Sequence, residues 1–217
     1  MVEELRTSYP QKKRKIRLFF QDEATFGRVS EPKYCWCKKG VRPVIHSQKT
    51  REYREIFGAA EPETGEFFYT VEENPKHTAK KMGRPKKGEI ADSQKPTVKD
   101  SGRKSRQMNN FMQKIGDKYS NDIIVLVCDR AWWHRSQYTQ IPQNLRITFI
   151  PPYTPQMNPI EQLWREIRAA GFANKYFETI SDVETKLHST IKNLTPETIM
   201  SIMQRDWIMN IVKPKVS

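Results

Sequence analysis

The sequence predicts a mixed α/β sheet with helices packed around it. Apolar runs of strand length come first, strand and helix patterns then alternate, and amphipathic helices close the sequence. The chain has 217 residues, of which 36% are hydrophobic and 11% aromatic. That length and composition predict one domain with a core of its own.

Five segments have the character of strands. Residues 16–22 (IRLFFQD) alternate as a half-buried strand does, and residues 53–60 and 67–71 form a predicted hairpin around the turn EPETG. Residues 123–128 (IIVLVC) are continuously apolar, which is typical of a central strand covered on both faces. A further short strand is predicted at 146–150.

The best specified helix follows the proline-rich stretch PPYTPQMNP at 151–159. Asn158 is expected to cap it, Pro159 suits its first position and Gly171 is expected to end it. Its apolar stripe, at positions i, i+3, i+4 and i+7, consists of Ile160, Leu163, Trp164 and Ile167.

Three other helices are predicted. One spans residues 109–119, and one begins at Ser181, where Glu184 would complete a capping box. Another begins near Thr195 and Pro196. The middle one of these three is expected to bury Val183, Leu187, Ile191 and Leu194.

Composition divides the chain into segments. Residues 1–15 are expected to be a basic linker, residues 16–212 the folded domain and residues 213–217 a tail. Between residues 76 and 106 there are eleven Lys or Arg, three acids and no aromatic residue. This composition predicts a disordered basic insertion within the domain.

The net charge of +13 and the pI of about 9.7 point to a polyanionic partner, most commonly nucleic acid. A ribosome-like or merely soluble basic surface is the alternative. Cys35, Cys37 and Cys128 fit neither a disulfide framework nor a zinc knuckle, so a reducing cytoplasm is expected. No apolar run is long enough for a membrane span, and no signal peptide is recognised.

Three carboxylates stand at predicted element ends: Asp22, Asp129 and Glu161. If the first and central strands are neighbours, their ends bring Asp22 beside Asp129, and Glu161 closes the set from its helix. Converging carboxylates suit Mg²⁺, and two such ions would serve an in-line phosphoryl transfer. The prolines would then hold Glu161 in place.

The same three acids also fit ordinary structural roles, which their spacing leaves open. Glu161 has the spacing to form a capping box with Asn158, and it could pair with Arg165 one turn later. Asp22 and Asp129 could simply be turn residues that follow strands.

Three blocks carry a resemblance to a known family: QDEATFG at 21–27, CDRAWWHRS at 128–136 and PPYTPQMNPIEQLWREI at 151–167. They resemble the catalytic blocks of mariner-like bacterial insertion-sequence transposases (the insertion-sequence-630 type) in the DDE superfamily. The resemblance implies an RNase H-like five-stranded mixed sheet flanked by helices. It also implies that Asp22, Asp129 and Glu161 bind Mg²⁺ or Mn²⁺, two ions per site.

Such enzymes cut DNA at transposon ends and transfer the freed strand into target DNA, so DNA and a homodimer on DNA are the implied partners. Asp129 and Glu161 lie 32 positions apart, close to the family spacing. The family often reads Asp-Asn-Ala where this chain has Asp129, Arg130 and Ala131; the arginine could contact phosphate or impair the site.

Only about fifteen residues precede the first predicted strand. The chain is therefore expected to be the catalytic half of a split transposase, or a fragment, served by a separate helix-turn-helix product in the bacterial cytoplasm at the nucleoid. The alternatives are a decayed transposase that only binds DNA and another RNase H-like metal nuclease.

Several further side chains are candidates for DNA contact: Arg130, His134, Arg165, Arg168, Arg84, Lys86 and Lys87. His134 could contact DNA or a metal-bound water, or be a capping or surface histidine. Trp132 and Trp133 could stack on a base, although packing is favoured. Glu23 should face away from Asp22. KKMGRPKKG at 80–88 resembles an AT-hook, with a generic basic loop as the alternative.

Overall fold

A computed structural model describes residues 14–73, 102–131, 134, 139–152 and 154–212. Its strands are β1 (Ile16–Val29), β2 (Lys49–Ala60), β3 (Phe67–Glu73), β4 (Ile123–Cys128) and β5 (Leu145–Phe149). Its helices are α1 (Arg103–Lys118), α2 (Ile160–Gly171), α3 (Ile180–Lys192), α4 (Pro196–Met203) and α5 (Asp206–Val212). The strands form one sheet in the order β3-β2-β1-β4-β5.

β1 lies in the middle of this sheet and pairs differently on its two sides. It runs parallel to β4 from Ile16, opposite Ile123, to Phe20, opposite Val127. It also pairs antiparallel with β2, and this pairing carries it on to Val29. The sequence prediction that Asp22 ends the first strand is therefore wrong, although Asp22 does lie just beyond the parallel pairing with β4.

Both faces of the sheet are covered, which explains why all six residues of β4 are buried. On one face, Phe19 and Leu126 pack in the same cluster as Phe111 of α1. On the other face, Phe20 and Val125 belong to a cluster that includes side chains of α2 through α5. The mixed α/β class, the hairpin and the central strand predicted from sequence are confirmed.

Two of the helices begin earlier than the sequence predicts. α3 begins earlier than predicted, since Thr179 caps it and forms a capping box with Asp182 rather than with Glu184. α1 also begins earlier, so residues 103–106 of the predicted basic insertion are helical. α4 is capped by Thr195 with Pro196 in its first turn, as predicted. α5 was not recognised in the sequence.

The turn between β2 and β3 fits closely against α4. Gly65 has a φ of 72°, and a Cβ at this position would come within 2.1 Å of the carbonyl oxygen of Pro196. Only glycine tolerates both the conformation and the contact. The turn therefore fixes the β2–β3 hairpin against the helical layer.

Several predicted segments lie outside the described residues: residues 1–13 of the linker, residues 76–101 of the insertion with its AT-hook-like motif, Trp132, Trp133 and the tail at 213–217. All three cysteines are free; Cys128 is buried, and Cys35 and Cys37 are exposed. Among the described residues, none of the helices has both the length and the apolar character that a membrane crossing needs.

Candidate active site

The first two candidate acids come together because their strands are neighbours. Asp22 lies two residues beyond Phe20, the last residue of β1 that pairs with β4. Asp129 immediately follows Cys128, the last residue of β4. Since β1 and β4 run parallel here, both carboxylates emerge at the same edge of the sheet.

A hydrogen bond to β1 fixes the start of α2, which carries Glu161. The side-chain amide of Asn158 donates to the carbonyl oxygen of Gln21, 3.0 Å away, one residue before Asp22. Asn158 is therefore not the helix cap that its spacing predicts; α2 has no side-chain cap at its N-terminus. The residue joins α2 to β1 instead, so the helix start and Asp22 are held together.

Close packing of α2 on the sheet reinforces this arrangement. Gly58 of β2 lies opposite Asp22 in the strand register. A Cβ on Gly58 would come within 2.6 Å of the Trp164 ring, so α2 approaches β2 this closely only over a glycine. Trp164 belongs to the predicted apolar stripe of α2, and all four members of that stripe are buried.

The three acids line one cleft of about 270 Å³. The other lining residues are Arg130, Ala131, Ile150, Pro151, Pro152, Thr154 and Asn158. Pro151 and Pro152 belong to the stretch that precedes α2, and the Thr154 hydroxyl donates to the carbonyl oxygen of Pro151 at 2.7 Å. The approach to Glu161 is thus a stiff wall of the cleft.

The three carboxylates differ in pKa. Burial, the charge of Glu23 and the charges of Glu161 and Asp129 raise the pKa of Asp22 to about 7. Burial and the charge of Asp129 also raise the pKa of Glu161. By contrast, the hydrogen bond from His134 lowers the pKa of Asp129. Without a cation, Asp22 therefore keeps its proton up to about pH 7, well above the range of an exposed aspartate.

These residues fit a hard divalent cation in their chemistry. The donors are carboxylate oxygens, which Mg²⁺ and Mn²⁺ prefer. Burial and the neighbouring negative charges raise the pKa of Asp22, and a bound cation would offset both. Within the described part of the chain, no three His, Cys, Asp or Glu side chains are already gathered at metal-binding distances. Ion binding would therefore have to draw the side chains together.

His134 occupies a position that its sequence context did not predict. It is buried, with 3% of its surface exposed, so neither a surface role nor direct contact with DNA fits its place in the fold. Its Nδ1 lies 2.9 Å from Oδ1 of Asp129 and its Nε2 lies 3.0 Å from Oε1 of Glu23. Burial disfavours its charged form, but the two carboxylates prevail and raise its pKa to about 9.

Glu23 therefore contacts His134 and does not line the cleft of the three acids. Strand alternation predicts that it faces away from Asp22, and its contacts with His134 and with the Gln21 side-chain amide agree. No sequence signal identified the Glu23–His134 contact, because the two residues are 111 positions apart.

The predicted basic contacts are distributed around the cleft. Arg130 is exposed and lines it, and Arg165 is exposed on α2. Arg168 lies with its guanidinium carbon 4.9 Å from the centre of the Phe26 ring, and it lines a second cavity of about 300 Å³ that does not include the three acids. Arg84, Lys86 and Lys87 lie outside the described residues.

Solved structures with the same fold include those of Mos1 mariner transposase. The crystal structure of its catalytic domain aligns with a TM-score of 0.54 and 14% identity, over 98% of this chain and 85% of that one. Its paired-end complex with the left transposon end aligns with a TM-score of 0.57 and 16% identity. That alignment covers 93% of this chain but only 55% of the transposase chain. The predicted RNase H-like fold is confirmed.

Sequence comparison gives the family. The family profile described as "DDE superfamily endonuclease" matches residues 90–184, a range that includes Asp129 and Glu161 but not Asp22. The "Uncharacterized protein y4pE/y4sA" of Sinorhizobium fredii (strain NBRC 101917 / NGR234) is 34% identical over 103 residues, which are 46% of this chain and 76% of that protein. The chain belongs to the DDE superfamily endonuclease family.

Proposed function

We propose that this chain is the catalytic domain of a transposase, which cuts DNA at transposon ends and transfers the freed strand into target DNA with the help of divalent metal ions. The observation that carries the proposal is the convergence of Asp22, Asp129 and Glu161 on one cleft. Family membership and the RNase H-like sheet support it. Solved complexes of Mos1 mariner with Mn and with Mg agree with a divalent cofactor.

The residues that would hold the cofactor are Asp22, Asp129 and Glu161, with Mg²⁺ or Mn²⁺ as the ion and two ions in the site. Bound there, the ions would activate the attacking oxygen and stabilise the leaving oxygen of an in-line phosphoryl transfer.

The chain itself supplies position and charge. Asp22, whose pKa is raised to about 7, releases its proton when a cation takes its place. Asn158 holds the start of α2 against β1, which keeps Glu161 over the other two acids. Arg130 is exposed at the cleft and serves as a contact for a DNA phosphate.

DNA is the proposed substrate, both as transposon end and as target. The net charge of +13 supports it, because phosphate contacts dominate the affinity of proteins for DNA. A homodimer on DNA, a separate helix-turn-helix product for end recognition and action in the bacterial cytoplasm at the nucleoid complete the proposal.

The test is a cleavage assay on a supercoiled plasmid that carries the gene with its flanking DNA. The full chain is assayed with Mg²⁺ or Mn²⁺, alone and with any helix-turn-helix product encoded beside it. Glu161→Gln should lower the cleavage rate by about 10²–10³-fold, as removal of one electrostatic stabiliser does. Glu166→Gln, which changes an exposed acid on the same helix, is the matched control and should keep full activity.

Two results would contradict the proposal. One is a wild-type chain that binds the plasmid but cuts nothing with either metal, which would favour a protein that only binds DNA. The other is equal cleavage by the wild type and Glu161→Gln, which would separate the nuclease activity from the three acids. Preferential cutting of RNA–DNA hybrids or four-way junctions would indicate a different RNase H-like nuclease.

A further inference from the structure

We propose that Glu23 and His134 form a buried positioning pair that orients the Asp129 carboxylate for metal binding. This inference rests on the proposed function, because it assigns Asp129 a metal to bind. It gives Glu23 and His134, which do not line the cleft, a role that neither the family match nor the three-acid pattern assigns.

The hydrogen bonds to the Asp129 side chain are made at one of its two carboxylate oxygens, Oδ1. His134 Nδ1 lies 2.9 Å from Oδ1, and the backbone amide of Ala131 donates to the same oxygen at 2.9 Å. These are the hydrogen bonds that the described residues make to this side chain, and both fix Oδ1. Oδ2 is therefore the oxygen presented to a cation, in an orientation that the bonds to Oδ1 determine.

The imidazole ring is itself held in place. The side chain is 1% exposed, and its far nitrogen, Nε2, lies 3.0 Å from Oε1 of Glu23. The backbone amide of His134 donates to the carbonyl oxygen of Ala131 at 3.0 Å. A ring with both nitrogens engaged and almost no exposed surface can bind neither the metal nor DNA directly, so its effect must pass through Asp129.

Glu23 anchors the pair to the strand that carries Asp22. It is the residue after Asp22 on β1, and its Oε1 also accepts a hydrogen bond from the Gln21 side chain at 3.0 Å. His134 thus links the strand of one candidate metal ligand to the loop of another. Hydrogen-bonded partners of metal ligands commonly orient them, and their loss typically costs about 10–100-fold in metal affinity or activity.

The test measures Mn²⁺ binding by the full chain without DNA, by electron paramagnetic resonance of the free ion. His134→Ala and Glu23→Ala should each weaken Mn²⁺ binding by about 10–100-fold. The double variant should bind Mn²⁺ as tightly as the single variant with the lower affinity, because the two residues act as one unit. Cleavage by both single variants should recover at high Mn²⁺, which a purely structural defect would not allow.

Control variants separate this effect from general destabilisation. Thr179→Ala removes the cap of α3, far from Asp129 in the chain, and should leave Mn²⁺ binding unchanged. Should an alanine variant fail to fold, His134→Gln and Glu23→Gln replace it and are expected to weaken binding less but in the same direction.

The outcomes distinguish this inference from the proposed function. A wild-type chain that binds no Mn²⁺ at millimolar concentration would overturn both. A wild-type chain that binds Mn²⁺ as tightly as its folded His134 and Glu23 variants would overturn only the positioning role. Losses that simply add in the double variant would show that the two residues act separately, and would also overturn it.

Discussion

The two ends of the buried part of β1 treat charge in opposite ways. At one end Arg17 is buried and forms ion pairs with Glu61 at 2.8 Å, Glu66 at 3.4 Å and Asp122 at 3.8 Å. At the other end, Asp22 shares a cleft with acids and is shifted by burial and by their charges. One strand thus carries both a compensated and an uncompensated cluster.

In the Arg17 cluster the buried charges of Arg17 and Glu61 are paired by hydrogen bonds. The guanidinium donates to both carboxylate oxygens of Glu61, through Nε at 3.2 Å and Nη2 at 2.8 Å, and it lies 4.2 Å from the centre of the Tyr119 ring. The Thr64 hydroxyl also donates to Glu61. Such a network ties β1 to the β2–β3 turn and to the end of α1, so its role is structural.

In the acidic cleft His134 compensates Asp129, but no cationic side chain of the described residues is paired with Asp22 or Glu161. The causes that raise the pKa of Asp22 and Glu161 are burial and neighbouring carboxylates, which oppose ionisation. A protein that maximised its stability would not place acids in this way. The difference between the two clusters supports the proposal that the cleft takes a cation, whereas the Arg17 cluster holds the fold.

The largest expected effect comes from breaking the compensated cluster. Arg17→Met leaves the fully buried Glu61 without its main partner, and we expect a loss of about 3–5 kcal/mol in the free energy of unfolding. Urea denaturation followed by circular dichroism measures it. Arg17→Met combined with Glu61→Met should recover most of the loss, since the unpaired charge is gone. A loss below about 1 kcal/mol, the range of exposed ion pairs, would contradict the structural role.

The next effect is stabilisation of the uncompensated cleft by metal. Mg²⁺ at about 100 times its dissociation constant should raise the free energy of unfolding by about 2.7 kcal/mol. The dissociation constant should be smaller at pH 8 than at pH 6, because a proton on Asp22 competes with the cation. Thermal denaturation over a Mg²⁺ series measures both. A Glu161→Gln variant that gains as much stability as the wild type would place the ion elsewhere.

The sequence predicted the parts of this comparison that depend on local pattern. The apolar run of β4 indicates a strand covered on both faces. The meeting of Asp22 and Asp129 was predicted only on the condition that β1 and β4 are neighbours, which the structure shows. The apolar stripe of α2 likewise follows from spacing alone. The buried strand and the apolar stripe need no knowledge of which distant residues touch.

What sequence reasoning missed depends on such distant contacts. Asn158 has the right spacing to cap α2, yet its amide bonds to the Gln21 carbonyl oxygen, 137 positions away. His134 could be placed in the core only by knowing that Glu23 lies opposite it. Periodicity carries no information on either pairing, because tertiary structure decides between the hydrogen bonds open to a polar side chain.

A smaller effect is the pH dependence of stability that Asp22 brings to the acidic cleft. Since the pKa of Asp22 is raised from 3.8 to about 7, the folded protein holds this proton more tightly than the unfolded chain does. Its contribution to stability is complete below about pH 4 and is lost as pH rises through 7. Metal-free protein should therefore lose stability between pH 5 and 7 through this group, and Asp22→Asn should lose less.

Urea midpoints at pH 5, 6 and 7, taken with a chelator present, give this difference. His134, with a pKa raised to about 9, contributes in the same direction at higher pH, but it is present in both proteins. If the free energy of unfolding depends on pH in the same way in the wild type and in Asp22→Asn, the pKa of Asp22 is not raised in the metal-free fold.

The smallest expected effect tests how α2 is held over the cleft. Asn158→Ala removes the buried hydrogen bond to Gln21, and Thr179→Ala removes the capping bond of α3; each should cost about 1 kcal/mol in the free energy of unfolding. Only Asn158→Ala should also weaken Mn²⁺ binding, because only that bond fixes the helix start that bears Glu161. Equal Mn²⁺ affinity in the two variants, measured at matched folded fraction, would mean that the prolines and the Trp164 packing hold Glu161 without help from Asn158.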